Sequence, residues 1–174
     1  MNSLSALERS DFLTGPGSIF LMTLQDLSPP AKVHYLYLLP YSEIKWSRRE
    51  LGERLGFFKE VVHRALAELE TAELLTYVEA PRPGRVTPFH LLRGAEPTGW
   101  QVRRRKLPTA LLDTRPSTKV AYLYLRGTKT ARTTDEVATA LGMSYPSVYQ
   151  ALRQLEDKGL ATHEGENPQR FTQS

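Results

Sequence analysis

The chain has 174 residues, room for one ordinary domain or two small ones, and no apolar run approaching the ~20 residues of a membrane span. It contains no cysteine, which excludes disulfides, thiolate zinc sites and a cysteine nucleophile and suits a reducing cytoplasm. The formal net charge of +4 arises in the second half, since residues 1–95 carry 11 basic and 11 acidic side chains and residues 96–174 carry 12 and 8, an imbalance that suits a polyanionic partner.

Residues 1–17 read as an N-terminal tail without the basic start and apolar core of a secretory signal. A short extended segment, SIFLMT, follows. A helix is then expected after Ser28-Pro29, with Val33, Leu36 and Tyr37 at i, i+3, i+4 spacing and Pro40 as its stop. The second helix opens on a capping box, Ser47-Arg-Arg-Glu50, and closes at Leu55-Gly56, where glycine suits a left-handed turn. A third helix follows at once. Its apolar stripe is Val62, Ala65, Leu66 and Leu69, and Lys59, His63 and Arg64 point the other way, beside Phe58, Glu60 and Glu68. The segment LLTYVEAPRPGRVTPFHLLR then reads as a β-hairpin, with Arg82 and Arg85 flanking its Pro83-Gly84 turn.

After GAEPTG (residues 94–99) the same order begins again. LQDLSPPAKVHYLYL aligns with LLDTRPSTKVAYLYL without a gap, and LGFFKEVVHRALAELETAEL aligns with LGMSYPSVYQALRQLEDKGL. An extended WQVRRRKL leads in, placing Arg103 and Arg105 on one side. A helix is expected to start after Ser117, with Val120, Leu123 and Tyr124 as its stripe and Gly127 as its end. Thr133 to Glu136 form the second capping box, Gly142 the second turn, and Ser144 and Pro146 the start of the next helix. That helix carries Val148, Ala151, Leu152 and Leu155 on its stripe, and a second hairpin ends near Arg170 and Phe171. The fold class expected is α+β, mainly α. It comprises two tandem copies of one small domain, residues 18–95 and 96–174, forming a pseudo-dimer within one chain.

Strand, helix, helix, tight turn, helix and hairpin is the order of a winged helix-turn-helix. SYPSVYQALRQLEDKGLATHEGENPQRF resembles the DNA-binding domains of MarR- and TrmB-type transcription regulators, and the upstream RKLPTALLD…STKVAYLYL resembles the winged helices of plasmid and phage replication initiators. The resemblance implies that the third helix of each copy enters the DNA major groove. In the second copy this would present Ser144, Tyr145, Ser147, Tyr149, Gln150 and Arg153. Gln150 suits adenine, Arg153 suits guanine or a phosphate, and the serines suit phosphate. Arg82 and Arg85 at the first wing would enter the minor groove or meet a phosphate, and Arg103, Arg105 and Arg170 would add phosphate contacts. The first copy's third helix is open to two readings, a second DNA reader or a surface for a protein partner or a second copy of the chain.

No catalytic constellation accompanies these features. His34, His63, His90 and His163 are scattered without metal-ligand spacing, and no Walker A, GxGxxG or GxSxG motif occurs. The expectation is a non-enzymatic, cytoplasmic, nucleoid-associated protein that needs no cofactor or metal and binds double-stranded DNA with sequence preference. A transcriptional regulator is the first reading. A replication initiator and a protein-binding module of a chromosome-associated complex are the alternatives.

Overall fold

The computed structural model describes residues 24–92, 106–128, 130–165 and 169–174. Among them are six α-helices and two small antiparallel sheets, an α+β fold. Residues 18–23 and the RRRK segment through Arg105 lie outside the described residues, and so do the expected lead-in strands that include them.

In the first half, α1 (Pro29–Leu38) starts on Ser28, whose hydroxyl accepts from the Ala31 N–H. Helix α2 (Arg48–Leu55) has the full reciprocal capping box of Ser47 and Glu50 and ends on Gly56 at φ +68°. Helix α3 (Lys59–Thr71) follows and buries Val62, Ala65, Leu66 and Leu69, the stripe that its spacing predicts. Strands β1 (Leu75–Tyr77) and β2 (Phe89–Leu91) form the hairpin, with Thr76 opposite His90. A single bridge from Ile44 to Phe89 adds a rudimentary third strand.

A short 3-10 turn at Thr109–Leu111 opens the second half, and α4 spans Pro116–Gly127. The expected start after Ser117 is corrected here: Arg115 is the cap residue, without a side-chain cap bond, and Ser117 lies inside the first turn. Proline explains the shift, because its fixed φ and missing N–H suit the first helical position. Strand β3 (Arg132–Thr133) leads into α5 (Thr134–Leu141), which has a capping box of Thr133 and Glu136 and ends on Gly142 at φ +59°. Helix α6 (Tyr145–Asp157) buries Val148, Ala151, Leu152 and Leu155. Strands β4 (Ala161–Glu164) and β5 (Arg170–Gln173) complete a sheet of order β3-β5-β4. The strand β3 is too short for alternation to reveal it in the sequence.

The two halves share one hydrophobic core. Helix α1 packs on α4 across the centre of the molecule, and each also packs on the third helix of its own half. All residues from Ala31 to Leu38, and all from Thr118 to Leu125, are therefore buried. A one-sided apolar stripe understates this, because Lys32, His34 and Lys119 are buried too. The Lys32 ammonium donates to the carbonyls of Leu141 (2.5 Å) and Gly142 (3.5 Å), at the end of α5. Lys119 donates to Leu55 (2.6 Å) and Gly56 (3.1 Å), at the end of α2, and to Leu112 (2.9 Å). Each lysine thus satisfies helix-terminal carbonyls of the opposite half, where a cation also complements the helix dipole.

Candidate nucleic-acid interface

Burying Val148, Ala151, Leu152 and Leu155 leaves the opposite face of α6 to solvent. Ser144, Tyr145, Tyr149, Gln150 and Arg153 are exposed there and Ser147 is half-buried. Ser144 is the cap residue, yet its hydroxyl makes no cap bond. Tyr145 and Tyr149, one turn apart, stack in parallel with ring centroids 6.1 Å apart and remain 48% and 39% exposed. Two large aromatic side chains held on a surface rather than folded into the core offer flat apolar contact area to a partner.

Arg153 is not an isolated cation. Its guanidinium is 2.6 Å from the Glu156 carboxylate, and the other Glu156 oxygen is hydrogen-bonded to His163 Nδ1 on β4. Glu156 thereby links the outward face of α6 to the hairpin. A groove of about 430 Å³ separates α6 from the first turn of α4, with Arg115, Ser117, Ser147, Gln150 and Arg153 among its walls. Beneath it, the Thr118 hydroxyl donates to the Gln154 side chain at 2.6 Å.

In the first half a carboxylate fills the corresponding place. Glu68, which aligns with Gln154, accepts from the Ser28 N–H (2.6 Å) and hydroxyl (2.5 Å) and closes the start of α1. Lys59, His63 and Arg64 are exposed on α3. Phe57 turns inward to stack on His34, with centroids 5.4 Å apart, whereas Phe58 at the helix start is 82% exposed. The hairpin turn is closed by the Arg85 N–H donating to the Arg82 carbonyl at 3.3 Å, with Gly84 at φ +75°, and both arginine side chains are exposed.

The structure also assembles something that reading each segment alone missed. A cleft of about 860 Å³ between the first hairpin, the start of α2 and α3 is lined by Arg48, Arg49, Lys59, Arg82 and Arg85, with Trp46, Tyr77 and Phe89 among its apolar walls. No carboxylate is among its lining residues. Arg49 forms a 2.9 Å ion pair with Glu53, which raises its pKa further and keeps it charged. Bonds from the Ser47 N–H and hydroxyl hold the Glu50 carboxyl below its usual range. The signal for Arg48 and Arg49 was present in the sequence as the middle of the capping box, whose charges project outward when its ends turn back to the helix.

Arg170 is exposed on β5, opposite Glu164 on β4 and Thr133 on β3. The expected contact residues Arg103 and Arg105 lie outside the described residues. Among the described residues no cluster of histidine, aspartate or glutamate has the arrangement of a metal site, and no helix is long and apolar enough to cross a membrane.

No curated protein matches the chain. Residues 119–173, from the first turn of α4 to β5, match the family model of the sugar-specific transcriptional regulator TrmB. The carboxy-terminal part of the chain is accordingly a winged helix similar to those of TrmB-type regulators, a similarity that supports a function of the DNA-binding, transcription-regulating kind.

Proposed function

We propose that the chain is a tandem pair of winged helices, residues 18–95 and 96–174, that binds double-stranded DNA with sequence preference and regulates transcription. The outward face of α6 carries this reading: an amide, a guanidinium, hydroxyls and two stacked tyrosines stand opposite a fully buried stripe. Gln150 and Arg153 suit base edges, and Ser144 and Ser147 suit the flanking phosphates. The two halves divide the work. The second half reads sequence through α6, while the first half reads a second half-site through Lys59, His63 and Arg64 on α3 and grips backbone with its five-cation cleft. Since the contact residues differ, the preferred site is asymmetric.

Fluorescence anisotropy on duplex DNA across a salt series, with sites selected from a randomised pool, tests this division. Arg153→Ala should cost about 1–3 kcal/mol of discrimination between sites. Arg82→Ala with Arg85→Ala should leave discrimination intact and flatten the logarithmic salt slope by about 2, near 0.9 for each phosphate left without its cation. No binding at low salt would overturn the reading. A second reading for the first half, a protein-binding surface, is favoured by Phe58 alone, since a phenylalanine 82% exposed on a helix start suits an apolar partner.

A further inference from the structure

Lys32 and Lys119 occupy equivalent places in the two halves, and their bonds are reciprocal. Each reaches across the seam to the last carbonyls of the other half's second helix, at the turn from which the third helix departs. The neighbouring glycines show how close the backbones come. A Cβ on Gly56 would lie 1.9 Å from the Leu112 carbonyl oxygen, and one on Gly142 would lie 2.7 Å from Gln25 Cα. Gln25 and Leu112 are again equivalent positions in the alignment of the halves, and the Gln25 side-chain amide donates to the Thr139 carbonyl at 3.4 Å. The Lys119 ammonium also lies 4.1 Å from the centre of the Phe57 ring. A main chain so closely seated, with buried cations on its terminal carbonyls, has little freedom to slide.

We propose that Lys32 and Lys119 are positioning residues that fix the separation and tilt of α3 relative to α6, so that the two third helices meet DNA as one rigid body with one permitted spacing between half-sites. The part concerning spacing rests on the function proposed above; the rigidity does not. Neither lysine is available to touch DNA, because both are buried at the seam.

The absence of cysteine allows two to be introduced cleanly. Glu70→Cys and Asp157→Cys, both at exposed positions near the ends of α3 and α6, would carry nitroxide labels for pulsed electron double resonance on the full chain. A narrow distance distribution is expected, and it should broaden in Lys32→Met/Lys119→Met. On selected DNA, inserting two base pairs between half-sites should weaken the unsubstituted protein by about a hundredfold, the avidity that disappears when geometry prevents both heads from engaging together. The lysine variant should lose most of that penalty. Should the double variant not fold, Lys32→Met, which unpairs two carbonyls and not the three held by Lys119, takes its place.

A broad distribution in the unsubstituted protein would overturn the inference. So would a narrow distribution unchanged in a folded lysine variant, or a spacing penalty that the variant retains. Failure to bind any DNA would overturn the proposed function instead, and the distance measurement would still decide whether the lysines hold the helices.

Discussion

His34 and Glu156 show how single side chains set limits on this molecule. His34 is buried in α1, with its ring against Phe57, and its pKa is lowered to about 4, first by loss of solvent and further by the charge of Lys119; a bond to the Pro30 carbonyl opposes the shift. The unfolded chain therefore takes up a proton near pH 6.5, where the folded chain does not until about pH 4. Stability should be fully retained above pH 6.5 and fall as the pH drops towards 4. Over that window the loss should be roughly 3 kcal/mol, at 1.36 kcal/mol per pH unit. Chemical denaturation across pH should show this slope, and His34→Phe should flatten it. An unchanged slope would assign the acid sensitivity to other groups. Glu156 acts at the surface. Its carboxylate holds the Arg153 guanidinium, so under the proposed function Glu156→Gln should release that arginine and tighten binding to all duplexes severalfold, by about 1 kcal/mol for an exposed pair. Anisotropy at fixed salt would read the change, and weaker binding would mean that the ion pair orients Arg153 towards the DNA.

At the scale of elements, the two halves solve the same problem with unequal success. After α3 the chain turns through Glu73 at φ +58°; after α6 it turns through Gly159 at φ +67°. In both, the following N–H returns to the helix, Leu74 to Leu69 and Leu160 to Leu155. A side chain in the left-handed region costs roughly 1–2 kcal/mol that glycine avoids, so Glu73→Gly should stabilise the protein by about 1 kcal/mol. Thermal unfolding would show it as a raised Tm; a lowered Tm would mean that the glutamate side chain contributes more than its backbone strain costs. The capping boxes, glycine turns and third-helix stripes were legible in the sequence because their chemistry is local, complete within a few residues. Burial of α1 and α4 on every side was not, since Lys32, His34 and Lys119 look polar until the carbonyls and rings around them are supplied by distant segments. Ser117 misled because serine is a better cap than arginine, whereas Pro116 fixes the helix start. The exposure of the outward residues of α6 could be read from one helix. The cationic cleft could not, for it gathers the hairpin turn and two helices from separate stretches of the chain.

The whole molecule is organised around a seam and not a linker. With one core running through both halves, unfolding either half would expose the buried face of the other, so a single cooperative transition is expected by calorimetry. At the seam α1 packs against α4, Gly56 and Gly142 let the backbones approach closely, and Lys32 and Lys119 grip main-chain carbonyls that no substitution can remove. The outward faces of α3 and α6 take no part in it. Phe58, His63, Tyr149 or Gln150 could be exchanged on one half while the other stays as it is. Two identical subunits lack that liberty, because every change appears in both. Joining the halves in one chain while keeping a symmetric seam therefore gives this architecture a capacity for divergence: one face can be inherited unaltered while its counterpart changes.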